Sequence, residues 1–455
     1  MLAAEHLMET DLQREPRTLV VGLGVTGLSC ARFLVKQGVE VAVTDTRDQP
    51  PAVARIREEL PDVALFLGGF DADIFARAQR VVVSPGVSPQ QPLIAAAQQR
   101  GVEVIGDIEL FARSVAAPVI AITGSNGKST VTTLVGEMAR QAGKQVRVGG
   151  NLGTPALDLI EDREPDLYVL ELSSFQLETV SSLRCRAAVV LNVSPDHLDR
   201  YASMGDYICA KQRIYAGAAL QVVNRDDTPA AALAVGAGQL VSFGLDEPGG
   251  ALDFGVVGTG ADAWIVRGSQ RWMPVAQLRI AGRHNLANAL AALALGDAAG
   301  LDKQAMLQVL REFQGLPHRT QWVAEHNSVA WYNDSKATNI GATLAAVHGF
   351  DGPVVLIAGG QGKGADFAEL AAGLDRRVKA VVLIGEAAEE IQQALGKCMP
   401  TRRADSMRAA VHLAAQLAQA GDRVLLSPAC ASFDMFDNYQ HRGAVFMQAV
   451  QELLS

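Results

Sequence analysis

Short apolar runs recur along the chain, each closed by glycine or a polar turn and followed by a stretch with apolar positions three to four residues apart. The first, TLVVGLGVTG, leads into LSCARFLVKQG, a helical pattern ended by Gly38. VEVAVTD follows and puts Asp45 at the end of a second strand. Further pulses at VALFLG, RVVVSPGVS and VEVIGD continue the alternation to near Ile108. A second, larger series opens with APVIAITGSNGKSTVTTLVGEMARQAG and runs through DLYVLELSS, AAVVLNVS and LQVVNRDD. The Ala/Gly-rich stretch from Pro229 to Gly260 reads as edge strands and loops. RHNLANALAALALG predicts a helix ended by Gly296, and a transition falls near Gly315. PVVLIAGG, VKAVVLIG and DRVLLSP form the strands of a last series. The expected fold is α/β in three domains: a Rossmann-like unit over 1–108, a central P-loop ATPase-like unit with a mostly parallel sheet over 109–315, and a Rossmann-like unit over 316–455.

Length agrees, since 455 residues hold three domains of about 150 each. With 49% apolar and 20% charged residues the chain is neither disordered nor fibrous. Forty basic against 49 acidic side chains, net -9, leave no footprint for nucleic acid. Cys30, Cys185, Cys209, Cys398 and Cys430 lack the paired spacing of zinc or redox motifs and read as reduced thiols. Glu5, Glu9 and Asp11 stand where a signal peptide would be basic and apolar, and no apolar run reaches about 18 residues. A cytoplasmic protein without membrane insertion is expected.

Two glycine loops carry the first chemistry. Gly22, Gly24 and Gly27 form a G-x-G-x-x-G turn with Asp45 downstream, compatible with a nicotinamide cofactor, with another nucleotide diphosphate, or with a structural turn. TGSNGKST is the stronger signal. Gly124 and Gly127 let the loop curl, Ser125 and Asn126 offer backbone donors, Lys128 meets phosphate charge, and Ser129 with Thr130 opens a helix where a hydroxyl can ligate Mg²⁺. The loop departs from the general phosphate-loop pattern in having Ile122 at the place of the first glycine.

Glu171, directly after the strand DLYVL, is a metal-ligand candidate. Asp196, His197 and Asp199 suit a hard metal or an anion, or the capping of a helix start. Lys211 in YICAKQRIY has the pattern of a surface lysine. Asp334, Lys336, Thr338, Lys363 and Ser432, all near strand ends of the last series, offer charge and hydrogen bonds for a second substrate site.

TGSNGKST, ELSSFQLE, NVSPDHLDRY, YICAKQRIY, GRHNLANAL, GLPHRTQ, YNDSKATN, GGQGKGADF and SPACASFDMF, with GLGVTG and VSPGVSP, resemble the Mur ligase family over nearly the whole chain. The resemblance implies an ATP-dependent amide ligase of peptidoglycan precursor synthesis, with the UDP precursor on the first domain, ATP on the second and the incoming amino acid on the third. The SPACAS ending resembles the D-glutamate-adding group, and the DNPR segment of diaminopimelate-adding relatives is absent. The implied substrates are therefore UDP-N-acetylmuramoyl-L-alanine and D-glutamate, joined through an acyl phosphate with release of ADP and phosphate.

By the same resemblance Lys128, Glu171, His197 and Lys211 are catalytic. Two Mg²⁺ ions are implied, one at Ser129 and Glu171, the other at His197 and a carbamate on Lys211. Asn285, Arg319, Asp334 and Lys336 join the loop in binding ATP. Val25, Thr26, Asp45, Thr46, Arg47, Ser84 and Asn151 form the UDP-substrate cluster, and Thr338, Lys363, Ser432 and Tyr439 the D-glutamate cluster. A monomer is expected. A folate-polyglutamate ligase is a more distant enzyme alternative, and an NAD-dependent oxidoreductase and a nucleotide-responsive binding protein without turnover are the alternatives from other classes.

Overall fold

Each apolar run becomes a strand whose C-terminal end hands the chain to a glycine turn and a helix, so the loops that carry chemistry collect along sheet edges. The computed structural model describes residues 17–151, 153–197, 200–234, 238–280, 282–350, 352–362, 364–374, 376–396 and 399–454. In the first sheet β1 (Thr18–Val21), β2 (Val41–Asp45), β3 (Ala64–Leu67), β4 (Arg80–Val83) and β5 (Glu103–Gly106) lie in the order β3-β2-β1-β4-β5, all parallel.

The second sheet holds β6 (Val119–Thr123), β7 (Val146–Gly150), β8 (Leu167–Glu171), β9 (Ala187–Val190), β10 (Leu220–Asn224), β11 (Gln239–Phe243), β12 (Phe254–Val257), β13 (Trp264–Arg267) and β14 (Gln270–Pro274). Its order is β14-β13-β12-β11-β10-β9-β6-β8-β7, parallel except along the β12-β13-β14 hairpin edge. The chain leaves β6 for β7 and β8 on one side, then crosses to β9 on the other. That reversal opens a crevice at the C-terminal end of β6, where the phosphate loop begins. The third sheet runs β15 (Gln321–His326), β16 (Val329–Asn333), β20 (Arg423–Leu426), β17 (Val354–Gly359), β18 (Val378–Ile384), β19 (Thr401–Arg403), with only β15 antiparallel.

One helix end differs from expectation. The helix Arg283–Ala298 passes through Gly296 instead of stopping there. The glycine answers to packing: a Cβ at this position would collide with Met306 Sδ on the following helix, Lys303–Glu312. Removing the side chain lets the two helices close, and helix contacts override a weak local stop signal.

The first and second units share a core. Val20, Leu23 and Phe111 pack in one cluster with Tyr168 and Leu172, and the Phe111 and Tyr168 rings meet edge to face at 5.0 Å. Glu109, on the helix Asp107–Ser114, fastens this junction: it accepts from Ser181 N at 2.7 Å, Ser182 N at 2.9 Å and Arg113 Nε at 2.8 Å. Burial pushes its pKa up, but those donors outweigh it and hold the group down to about 2. The folded value lies below the unfolded one, so this stabilisation is complete above the unfolded pKa and is lost as pH falls toward 2. Glu109→Gln is expected to lower the thermal midpoint at neutral pH, with the gap to the parent narrowing on acidification below about pH 5. A gap independent of pH in thermal unfolding would contradict the assignment.

Candidate active site

The loop after β6 turns through two positive-φ glycines, Gly124 at 154° and Gly127 at 82°. Gly127 caps the helix Lys128–Gln141, whose free N–H groups and dipole favour an anion. A side chain at Gly127 would collide with Asn288 Oδ1, so only glycine permits this close approach. Asn192 locks the loop from the β9 side, accepting from Asn126 N at 2.8 Å and donating to Asn126 O at 3.0 Å. Ser125 Oγ donates to Ser194 O at 3.0 Å and lies 3.1 Å from the Tyr207 hydroxyl.

Two lysines converge beneath this loop. Lys128 Nζ donates to Gly124 O at 2.7 Å and Ser125 O at 2.8 Å, and Lys211 Nζ donates to the same Gly124 O at 2.9 Å. Lys211 is 1% exposed, against the surface pattern of its sequence, and its ammonium stands 4.5 Å from the Tyr207 ring centroid. Burial, then the Lys128 charge, push its pKa well below the usual range, with Asp196 opposing. Lys128 is also lowered, by burial first, with Glu171 and Asp196 raising it and Arg319 lowering it. Charges from three separate segments thus act on Lys128.

Glu171 ends β8 beside β6, paired in register with Ile122, and is 3% exposed. Asn151 Nδ2 donates to its Oε1 at 2.7 Å, while Oε2 is enclosed with no hydrogen-bond partner. An orphaned carboxylate oxygen beside a phosphate loop is a hard donor waiting for a cation. Among the described residues no group of three or more His, Cys, Asp or Glu side chains forms a metal cluster, so ions here would complete their shell from Ser129 and from nucleotide phosphates. His197 lies on the segment after β9 at φ 56°, its ring 4.8 Å from that of Phe175 and 6.4 Å from that of Tyr207. Among the described residues the next helix, Met204–Gln212, starts after its own cap Ser203, and Asp196 Oδ1 accepts from His197 N at 3.0 Å. Asp199 lies outside the described residues.

The third unit closes the site. Arg319 Nη2 donates to Ser129 Oγ at 2.7 Å. Asn126, Gly127, Thr130, Asn285, Arg319, Asp334 and Lys336 line one cavity of ≈ 320 Å³ between the second and third units. Asp334 is 7% exposed, accepts from Thr320 N at 2.9 Å and from Ser427 Oγ at 2.8 Å, and burial pushes its pKa up to about 7 against those donors. Lys336 Nζ is 4.0 Å from the Tyr439 ring centroid.

Thr338 and Ser432 lie on two loops at the same edge of the third sheet as Tyr439, which opens the helix Tyr439–Leu454. Arg442 fixes these loops, a role no local motif announces. Fully buried, it donates from Nε to Ser335 Oγ at 3.0 Å, from Nη2 to Ser335 O at 2.8 Å, and from Nη1 to Cys430 O and Ala431 O, both at 3.1 Å. Lys363 lies outside the described residues.

The first unit presents a separate edge. Asp45 is 3% exposed and its carboxylate is committed inward, accepting from Leu23 N at 2.7 Å and from Arg47 Nε and Nη2 at 2.8 and 2.7 Å. Burial is outweighed by these donors, which hold its pKa down to about 2. Asp45 thus shapes the GLGVTG turn, leaving Arg47, Thr46 and Val25 exposed at its rim with Thr26 half-buried. Ser84 Oγ donates to Gly22 O at 2.8 Å. Arg200 ties this edge to the second unit, reaching Val87 O at 3.2 Å and Glu178 Oε2 at 3.0 Å. Asn288 is a further site residue beyond the sequence candidates; its spacing of three from Asn285 on one helix face was the available signal.

Comparison with known proteins gives three consecutive family matches: Mur ligase MurD-like, N-terminal domain, over residues 16–106; Mur ligase middle domain over 122–296; and Mur ligase, glutamate ligase domain, over 318–430. The UDP-N-acetylmuramoylalanine--D-glutamate ligase of Nitrosococcus oceani is 55% identical over 441 residues, covering 96% of this chain and 97% of that protein. The ligase of the same name from Pseudomonas syringae pv. syringae is 55% identical over 438 residues, 95% and 97% of the two chains. Among solved structures, a pseudomurein peptide ligase type C from Methanothermus fervidus shares the fold at a TM-score of 0.62 and 17% identity, covering 96% of this chain and all of that one.

Proposed function

Because the chain belongs to the Mur ligase family, we propose that its cavity and phosphate loop serve ATP-dependent addition of D-glutamate to UDP-N-acetylmuramoyl-L-alanine, releasing ADP and phosphate, in peptidoglycan precursor synthesis. The observation that carries the reading is the convergence of the phosphate-loop residues Asn126 and Gly127 with Asn285, Arg319, Asp334 and Lys336 on one cavity of ≈ 320 Å³ between the second and third units. The division at 1–108, 109–315 and 316–455 assigns the UDP precursor to the first unit, ATP to the second and D-glutamate to the third.

In the first step a carboxylate oxygen of the L-alanyl group attacks the γ-phosphorus and ADP leaves, turning a poor electrophile into an acyl phosphate. The Lys128 ammonium and the loop N–H groups meet the charge that builds on the phosphoryl oxygens. In the second step the D-glutamate amine attacks the activated carbonyl carbon. The tetrahedral intermediate loses phosphate and a proton, and an amide remains. Closure of the third unit over the cavity holds both partners in place and keeps water from the acyl phosphate.

The donor set suits Mg²⁺. Ser129 and the orphaned Glu171 oxygen would hold one ion, and His197 with a carbamate on Lys211 a second; bound there, the metal would supply electrostatic neutralisation of phosphate charge. Burial lowers the pKa of Lys211 and so favours loss of its proton, and the free amine can add carbon dioxide with loss of a second proton to give a carbamate. Thr338, Lys363, Ser432 and Tyr439 are assigned to D-glutamate, and Val25, Thr26, Asp45, Thr46, Arg47, Ser84 and Asn151 to the UDP substrate, Asp45 by shaping the turn. A monomer with no membrane insertion is part of the same reading; no helix among the described residues is long and apolar enough to cross a membrane.

The test is phosphate release with Mg²⁺, ATP, UDP-N-acetylmuramoyl-L-alanine and each of a panel of amino acids, including both glutamate enantiomers, with product mass checked. Release and amide formation confined to D-glutamate are expected. Reaction with a different amino acid would overturn the assignment of the third unit and leave the ligase chemistry standing.

A further inference from the structure

At the start of the helix Arg283–Ala298 three side chains, His284, Asn285 and Asn288, border the nucleotide cavity. Asn288 also lies against the phosphate loop at Gly127, and His284 also turns its imidazole toward Gly349 of the third unit. His284 Nε2 lies 3.4 Å from Thr320 Oγ1, and its Nδ1 is enclosed. On the far side sits Gly349, after the helix Ile340–His348. A Cβ there would stand 2.9 Å from His284 Nδ1 and 3.1 Å from its Cε1. Gly349 has φ -71°, an ordinary helical value, so its backbone does not call for glycine; the imidazole does. Thr320, by contrast, is a β-branched residue at φ 46°, held there by its N–H bond to Asp334 and by the contact with His284.

We propose that His284 is a positioning residue, a peg whose socket of Thr320 and Gly349 seats the third unit on the nucleotide cavity and thereby aims Arg319 and Asp334 at the ligand. Arg319 and Thr320 are adjacent, and Thr320 N–H fixes the Asp334 carboxylate whose other oxygen accepts from Ser427. A displaced peg therefore moves both groups. Burial pushes the imidazole pKa down to about 4, the Ala345 carbonyl opposing, so the ring enters its socket uncharged at neutral pH. The inference rests on the ligase reading for its substrates, although the nucleotide cavity itself is enough to test it.

The experiment is a double-mutant cycle on the full chain, with His284→Ala, Gly349→Ala, the two combined, and His284→Gln. It is read by the KM values for ATP and D-glutamate, by kcat, and by the Kd of a fluorescent ATP analogue. Each alanine variant alone is expected to raise the KM for ATP and the analogue Kd about three- to tenfold, with a smaller fall in kcat. In the combined variant Gly349→Ala adds nothing, because the imidazole it displaces is gone. His284→Gln recovers part of the loss through an amide to Thr320 Oγ1. Additive effects, or parent values in Gly349→Ala, would overturn the proposal. If His284→Ala does not fold, Gly349→Ala and His284→Gln decide by the same criterion. A parent protein that binds the analogue but shows no D-glutamate-dependent phosphate release would defeat the ligase reading alone.

Discussion

Lys128→Ala is expected to reduce D-glutamate-dependent phosphate release by about 10³-fold or more, because a charge aimed at developing phosphoryl charge contributes on that order. The loss should be one of chemistry and not of folding. Lys128 occupies the first position of its helix, where alanine is at least as good a helix former, and its Nζ only bridges two carbonyls of the neighbouring turn. Of those carbonyls, Gly124 O already accepts from Lys211 and so keeps a partner when Lys128 is removed. The thermal midpoint should therefore stay within a few degrees of the parent, on the order of one lost hydrogen bond. Near-parent turnover in Lys128→Ala would remove the lysine from the reaction, and with it the reading of the loop as the phosphoryl-transfer centre.

Lys211→Ala should lower turnover by about 10²-fold, comparable to removing one preorganised electrostatic group from a catalytic site. The structure gives this lysine no surface role: it is enclosed, shares a carbonyl with Lys128 and lies over an aromatic ring. If it works as a carbamate, a short carboxylate such as formate should restore part of the activity by filling the vacated volume with the missing negative charge. In the parent, a carbamate carbon signal should appear by NMR in ¹³C-labelled bicarbonate. Unchanged turnover in Lys211→Ala, without added carboxylate, would overturn its role. Loss of activity without rescue and without a carbamate signal would leave a structural lysine, contrary to the proposal.

The sequence makes Lys128 legible because phosphate binding demands particular residue types at fixed spacing in one strand-loop-helix unit, and the same compactness exposes Glu171 at a strand end. Strands β1 to β6, β8 to β10, β17, β18 and β20 announce themselves as apolar runs for the same local reason, whereas β7 (VRVGG) and β19 (TRR) carry too few apolar positions to do so. The hairpin edge β12-β13-β14 does not announce itself either, since its short strands lie in and beyond an Ala/Gly-rich stretch and half of their positions face solvent. Arg442 was illegible for a different reason: its worth lies in the carbonyls it gathers from loops 107, 12 and 11 residues away. The burial of Lys211 follows from the Gly124 carbonyl 87 residues earlier, and no periodicity in its own helix encodes it. Asp45 shows the converse case, in which a sequence spacing suggestive of ligand binding conceals an internal bond to Leu23 that builds the turn.

The central claim is that ATP activates the alanyl carboxylate as an acyl phosphate before D-glutamate attacks. The most direct measurement uses UDP-N-acetylmuramoyl-L-alanine carrying ¹⁸O in that carboxylate, with mass analysis of the phosphate released in the presence of ATP, Mg²⁺ and D-glutamate. The account predicts one labelled oxygen transferred to each phosphate formed with each amide. Phosphate released without label would contradict it.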